Sequence, residues 1–318
     1  MIPLIGRRLF LAFLTLILVS LIVFVAVEAL PGDMASAYLG RDATPESLAA
    51  LRDEFGLNAP AYQRYLSWFG GFLRGDLGDS LVRNKPIGEV IGNNLRNTIV
   101  LALTASVVGI PLAIGLGVFA ALTRDRWPDI VVSTISIFGM TLPEFVTGTF
   151  LIYVFAVKLK WFKGVATMPS DAPLDAEFFQ IIILPVLTLT LVMMAHILRL
   201  VRTSMIDVMI SDYVQMARLK GVPAWGIVFR HALPNAMLPT INIVALTIAW
   251  LLGGVLIIER VFNFPGIGNL MINGISDRDL ALVQAIAIIL AAFYIGINLL
   301  ADLLSLVLNP RLRTSRGH

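Results

Sequence analysis

The sequence has no cysteine and only three histidines, and just 14% of its 318 residues are charged. Without cysteine there are no disulfides, thiolate metal sites or cysteine nucleophiles, and the redox compartment stays open. The histidines, His196, His231 and His318, are scattered, and a metal centre built on them needs carboxylates from afar, so no metal site is expected. A soluble domain carries nearer to about 25% charged residues, so the low charge excludes an ordinary soluble protein. No Gly-x-x-x-x-Gly-Lys phosphate loop occurs, and the chain therefore binds no ATP in the usual way. His-Glu-x-x-His is missing as well, and the serines and threonines have no base nearby in sequence, so no catalytic set is expected. A net charge of +3 is too small to argue for nucleic acid.

What the chain does have is long apolar runs, with 58% of its residues hydrophobic. Leu9 to Val27 is uncharged over 19 residues and follows Arg7-Arg8, which suits a membrane span. A cleaved signal peptide ending near Ala35-Ser36-Ala37 is the rival reading, but the run exceeds the roughly 7–15 residues of a signal core. Further spans are predicted at Thr98–Leu122, Ile130–Val157, Ile181–Leu200, Thr240–Ile258 and Ala281–Leu308. The expectation is an all-α polytopic membrane protein with six transmembrane helices. Residues 1–30 hold the N-terminus and first helix, 31–95 form a helical insertion outside the membrane, 96–310 make a five-helix core, and 311–318 are a basic tail.

Within the insertion, Thr44-Pro45-Glu46 starts a helix whose apolar stripe is Leu48, Leu51 and Phe55, with Gly56 ending it. Tyr62, Tyr65, Leu66 and Phe69 make a second, aromatic stripe suited to a membrane interface or to packing on the bundle. Gly115-Leu-Gly117-Val-Phe-Ala120 is a formal dinucleotide fingerprint, but it sits inside a membrane run with no strand before it, so it is discarded. Pro143 is expected to bend the third span. Counting Lys and Arg in the short loops gives twelve on the side of the N-terminus and five on the other, which predicts both termini inside.

The most informative stretch is polar. Residues 202–239 form a loop between the fourth and fifth spans. Within it Asp212 is read as a helix cap, Gln215 completes a capping box, the helix runs from about Tyr213 to Lys220, and Gly221 stops it with Pro223 beyond. Tyr213, Met216 and Ala217 share one face, while Arg218 and Lys220 carry charge elsewhere. A second helix starting at Pro223 aligns Trp225, Val228, Phe229 and Ala232. A DNA-binding helix-turn-helix shares this loose pattern, but the close apolar spans on both sides exclude it.

The runs YVQMARLKG and RHALPNAMLP resemble the cytoplasmic signature loop of permeases of binding-protein-dependent ABC importers, in the branch that serves peptides, nickel, opines and glutathione. Leu-Pro-Gly-Asp after the first span, GDLGDSLVRNKPIGEVIGNNLRNTIVLAL, the Leu142-Pro143-Glu144-Phe145 piece and Pro265-Gly266-Ile267-Gly268 extend the resemblance over nearly the whole chain. The usual Glu-Ala-Ala of the signature is Gln215-Met216-Ala217 here. The resemblance implies that Asp212, Tyr213, Gln215, Met216, Ala217, Arg218, Lys220 and Gly221 couple to a separate ATPase subunit. It implies that residues 31–95 face the periplasm. The implied partners are a second homologous permease, two ATPase subunits that bind ATP and Mg, and a periplasmic substrate-binding protein.

Polar groups at membrane depth are candidates for a substrate path: Glu144, His196, Asn242, Gln284, Asn298 and Asp302, the last two sharing a helix face. A charge at a helix centre costs roughly 2.5–3.5 kcal/mol on insertion scales, so such residues face the bundle interior or water. Helix–helix hydrogen bonding is the alternative use for each. Two other function classes fit less well. An ion-coupled secondary transporter would use Glu144 or Asp302 but shows no inverted repeat. An intramembrane enzyme or an assembly scaffold is the other, and the enzyme lacks its catalytic set.

Overall fold

The computed structural model describes residues 2–29, 35, 39, 44–54, 57–80 and 82–308. Helix α1 (Ile2–Glu28) leads to two short helices, α2 (Pro45–Glu54) and α3 (Ala61–Leu73). A two-stranded antiparallel hairpin follows, β1 (Asp79–Ser80) and β2 (Lys85–Pro86). Next come α4 (Ile87–Leu122), α5 (Trp127–Thr141) and α6 (Glu144–Leu151), the last continued by π-type turns over Ile152–Lys158. Helix α7 (Ala176–Met209) precedes the short α8 (Asp212–Leu219) and α9 (Ala224–Gly226). A π-type stretch (Ile227–Ala232) then feeds α10 (Leu233–Val261), and α11 (Ile267–Ser276) and α12 (Leu280–Leu308) close the chain. Four helices among the described residues are long and apolar enough to cross a membrane, or up to six if each of two bent pairs counts as one span. The predicted ends at Phe55 and Gly56, and the basic tail, lie outside the described residues.

Helix α7 is the axis. In its most apolar window 72% of residues are buried, against 11% in α1, whose Phe10, Leu18 and Ile22 are exposed. Helix α4 lies against α7 through Gly109, Ala113 and Gly117, small residues four apart on one face. A Cβ on Gly109 would stand 2.2 Å from Met193 Cε, and one on Gly117 2.7 Å from Val201 Cβ. Gly117 thus serves close helix packing, which is what the discarded dinucleotide pattern amounts to.

Three expectations change. The predicted third span is two helices meeting at 109°. Pro143 has no N–H to give and disfavours helical geometry at Leu142, which is extended (φ −82°, ψ 127°), so α5 stops and α6 restarts. The predicted second span begins earlier, at Ile87, because its polar first turns are anchored: buried Asn97 donates from Nδ2 to the Ser170 and Pro265 carbonyls at 2.9 and 3.0 Å. The helix predicted to start at Pro223 runs on through the π-type turns into the fifth span, with a bend of 51° near Pro239, so it is no separate unit.

One end of the bundle is fixed by a buried carboxylate. Glu259, fully buried, accepts from Thr98 Oγ1 at 2.5 Å and from the Gly268 and Asn269 amides at 2.7 and 3.2 Å, satisfying the N-terminus of α11. Thr98 Oγ1 in turn accepts from the Ile267 amide at 2.8 Å. At the opposite end Arg202 of α7 grips Asp129 of α5 through two bonds of 2.5 and 2.6 Å.

Candidate functional site

The loop after α7 builds a small knob. Helix α8 is eight residues long, and its cap is Ser211 rather than Asp212, which is the first helical residue. Gln215 does not close a capping box: its Nε2 donates to the Ile210 carbonyl at 3.1 Å. The C-terminal stop is as the sequence predicts. Gly221 adopts φ +74°, its amide donates to the Arg218 carbonyl at 2.9 Å, and the Val222 amide donates to the Ala217 carbonyl at 3.1 Å. That pair of reversed bonds is the Schellman arrangement, and it satisfies carbonyls the helix end would leave free.

The face assignment of α8 changes. Val214 and Ala217 are buried against Ile227, Val208, Met209 and Val222, whereas Tyr213 and Met216 turn outward with Leu219, which is 82% exposed. Ala217 therefore belongs to the anchoring side, not to the side of Tyr213 and Met216. Asp212, Gln215, Arg218 and Lys220 are exposed around the rim. The predicted stripe on the following segment splits in the same way. Val228 and Ala232 are buried, while Trp225 and Phe229 stack outward with ring centroids 5.5 Å apart, because the wider π-type turns rotate the faces. The knob is thus an exposed apolar face, edged with charge, standing on a three-residue anchor.

The second feature is a cavity of about 460 Å³ at the break between α5 and α6. The break exposes the start of α6, and Glu144 in its first turn lines the cavity together with Thr141, His196 of α7, and Thr247 and Trp250 of α10. The His196 and Trp250 rings lie 6.4 Å apart, and His196 Nδ1 sits 3.3 Å from the Val192 carbonyl, which leaves the outer edge of the imidazole for the cavity.

Of the six polar residues predicted for a path, the structure brings Glu144 and His196 together here. Gln284 is buried elsewhere, beside α1 and α3. Asn298 donates to the Tyr294 carbonyl of its own helix at 2.9 Å. The side chains of Asn242 and Asp302 lie outside the described ones. Trp250 was not singled out in the sequence, and no local pattern marks it. Glu259 lies just past the predicted fifth span; its signal in the sequence is a carboxylate at the end of an apolar run with Pro-Gly-x-Gly six residues on.

Residues 113–314 match the family described as binding-protein-dependent transport system inner membrane component, and residues 1–102 match its N-terminal membrane component. The chain is 36% identical over 299 residues to the glutathione transport system permease protein GsiC of Escherichia coli (strain K12), covering 94% of this chain and 95% of that relative. The same figures hold for GsiC of Shigella flexneri serotype 5b (strain 8401), and GsiC of Salmonella choleraesuis (strain SC-B67) is 34% identical over the same coverage. The chain belongs to the family of binding-protein-dependent inner-membrane components: it is a multi-pass inner-membrane permease of an ABC importer, in the peptide and glutathione branch.

Proposed function

We propose that this chain pairs with a second, homologous permease to form the path for a short peptide such as glutathione, delivered by a periplasmic binding protein and driven by two ATPase subunits that hold ATP and Mg. The observation that carries the reading is connectivity: the exposed knob α8 joins the ends of α7 and α10, and those two helices are walls of the Glu144–His196 cavity. Movement imposed on the knob is passed along the chain to both walls of the cavity. Glu144, His196 and Trp250 are all partly exposed on the isolated chain. Facing lipid would be costly for an ionisable group, so this face is the one turned to the second permease and the solute. A volume of about 460 Å³ is in the range of small-molecule sites. The Glu144 carboxylate suits a peptide ammonium, and the His196 ring suits a peptide carboxylate.

The topology belongs to the same proposal: both termini inside, as the Lys and Arg count favours, the knob in the cytoplasm, and residues 31–95 in the periplasm. In the ATP-bound state the two knobs approach each other and the path opens outward; release reverses this. The test is co-purification of the tagged chain from its native membrane, wild type beside Gly221→Pro. Proline cannot adopt φ +74° and lacks the amide that closes the helix end. Wild type is expected to retain a second permease and ATPases, and the variant to keep the permease but lose the ATPases. Wild type arriving without any ATPase under gentle extraction would overturn the reading, and uptake that survives ATPase loss would point to an ion gradient instead.

A further inference from the structure

A second cavity, of about 550 Å³, lies away from the solute path, in the crevice between the end of α1, helix α3 and the start of α12. Its floor carries Gln284, 4% exposed, whose Nε2 is buried and has no hydrogen-bond partner among the described residues. A buried amide donor left alone costs free energy, so its presence at the floor of a cavity points to an acceptor that comes from outside. At the mouth Arg64 and Glu28 form an ion pair. Arg64 also donates from Nε to the Ala59 carbonyl at 3.1 Å, which fixes the guanidinium at the mouth. One wall is aromatic: Trp68 and Phe24 line the cavity, and Tyr65 packs on both, with centroids 6.3 and 5.4 Å away. Cation, anion, neutral donor and aromatic face thus surround one space.

The surroundings identify the source of the ligand. Along α1 the exposed side chains Phe10, Phe13, Leu18, Ile22 and Val25 make an apolar wall, and that wall ends at Glu28, at the level of the crevice. Tyr65 and Trp68 are residues of the kind that settle at a membrane–water boundary. A molecule with acyl chains on that wall would have its headgroup in the crevice.

We infer that this crevice binds the zwitterionic headgroup of phosphatidylethanolamine, with the phosphate on Arg64 and Gln284 Nε2 and the ammonium on Glu28 and the Trp68 face. In the proposed topology the lipid belongs to the outer leaflet. It would tie the extramembrane helix α3 to the membrane bundle, a role separate from solute passage, and the inference stands on the crevice alone rather than on the importer mechanism.

The test is native mass spectrometry of the full chain with its co-purifying subunits, in detergent, after exchange into mixed micelles of phosphatidylethanolamine and phosphatidylglycerol. Wild type, Gln284→Glu, which keeps the size but turns a donor into an acceptor, and Arg64→Ala are compared, with glutathione as a soluble zwitterion in a third arm. Wild type is expected to retain phosphatidylethanolamine through delipidation, with retention falling about tenfold or more in each variant, the scale of a lost hydrogen bond to a charged group. Equal retention of the two lipids, or unchanged retention in the variants, would overturn the inference. So would glutathione adducts lost in the variants where no lipid is held, since the ligand is then soluble. Should Gln284→Glu fail to elute as a folded complex, Arg64→Ala decides alone, because Arg64 keeps part of its side chain in solvent.

Discussion

At the residue scale, the Pro265-Gly266-Ile267-Gly268 loop shows why particular glycines are required. A Cβ on Gly266 would stand 2.0 Å from Glu259 Oε1, and one on Gly268 2.4 Å from Leu256 Cδ2. Both glycines therefore let the start of α11 close onto the carboxylate that caps it. Gly266→Ala is expected to push Glu259 off its amides and lower stability by the 1–3 kcal/mol typical of overpacking, roughly, with more if the buried carboxylate loses its donors. Gly115→Ala is the control: its Cβ would meet nothing within 4 Å, and the melting temperature should hold or rise. Thermal unfolding in detergent checks both, and equal melting temperatures would mean that Glu259 does not depend on the close approach. The sequence displayed these glycines but not their reason, because Glu259 and Thr98 are far apart along the chain and only the fold makes them neighbours.

At the element scale, what could be read in the sequence follows the range of the interaction involved. The stop at Gly221 was legible because a left-handed residue followed by proline is a local device. The break at Pro143 was legible as a bend, while the 109° turn was not, since it depends on α6 finding its place against α7 and α10. The outward face of α8 was misread because Val214, which decides it, becomes an anchor only when Ile227 and Val208 close over it.

The proposed link from knob to cavity belongs to the same scale. Arg202 lies two turns before the end of α7, and its partner Asp129 is in the first turn of the helix that ends at the break beside Glu144. Asp129 is also held by the Asp125 amide at 3.0 Å and by Ser133 Oγ at 3.2 Å, so the ion pair joins two elements and a loop. Asp129→Asn should cost roughly 2–3 kcal/mol, below the 3–5 of a fully buried pair, because Arg202 keeps about a quarter of its side chain in solvent. Adding Arg202→Met should restore much of the stability by removing the unpaired charge, yet ATP-driven uptake should stay low because the link is gone. If uptake recovers together with stability, the pair only holds the fold and carries no motion.

At the scale of the whole molecule, the chain has two unlike sides, and the absence of cysteine makes that testable. One side is the apolar surface of α1; the other, among exposed apolar neighbours such as Leu142 and Phe145, carries Glu144, His196 and Trp250. The segregation follows from cost, since an ionisable group at membrane depth turns toward water or a partner. Single cysteines can be placed in an unaltered background. At Tyr213, on the exposed face of α8, a membrane-impermeant maleimide should react from the cytoplasmic side only, and at Tyr62, 65% exposed on α3, from the periplasmic side only. At Thr141, in the wall of the cavity, labelling should switch sides between the ATP-bound and nucleotide-free importer, as a two-state path requires. At Phe10, 64% exposed on α1, the same reagent should stay unreactive in both states, because lipid excludes it. Labelling at Thr141 that ignores nucleotide would detach the cavity from the transport cycle, and reversed sidedness at Tyr213 and Tyr62 would invert the topology on which the proposed contact of the knob with an ATPase depends.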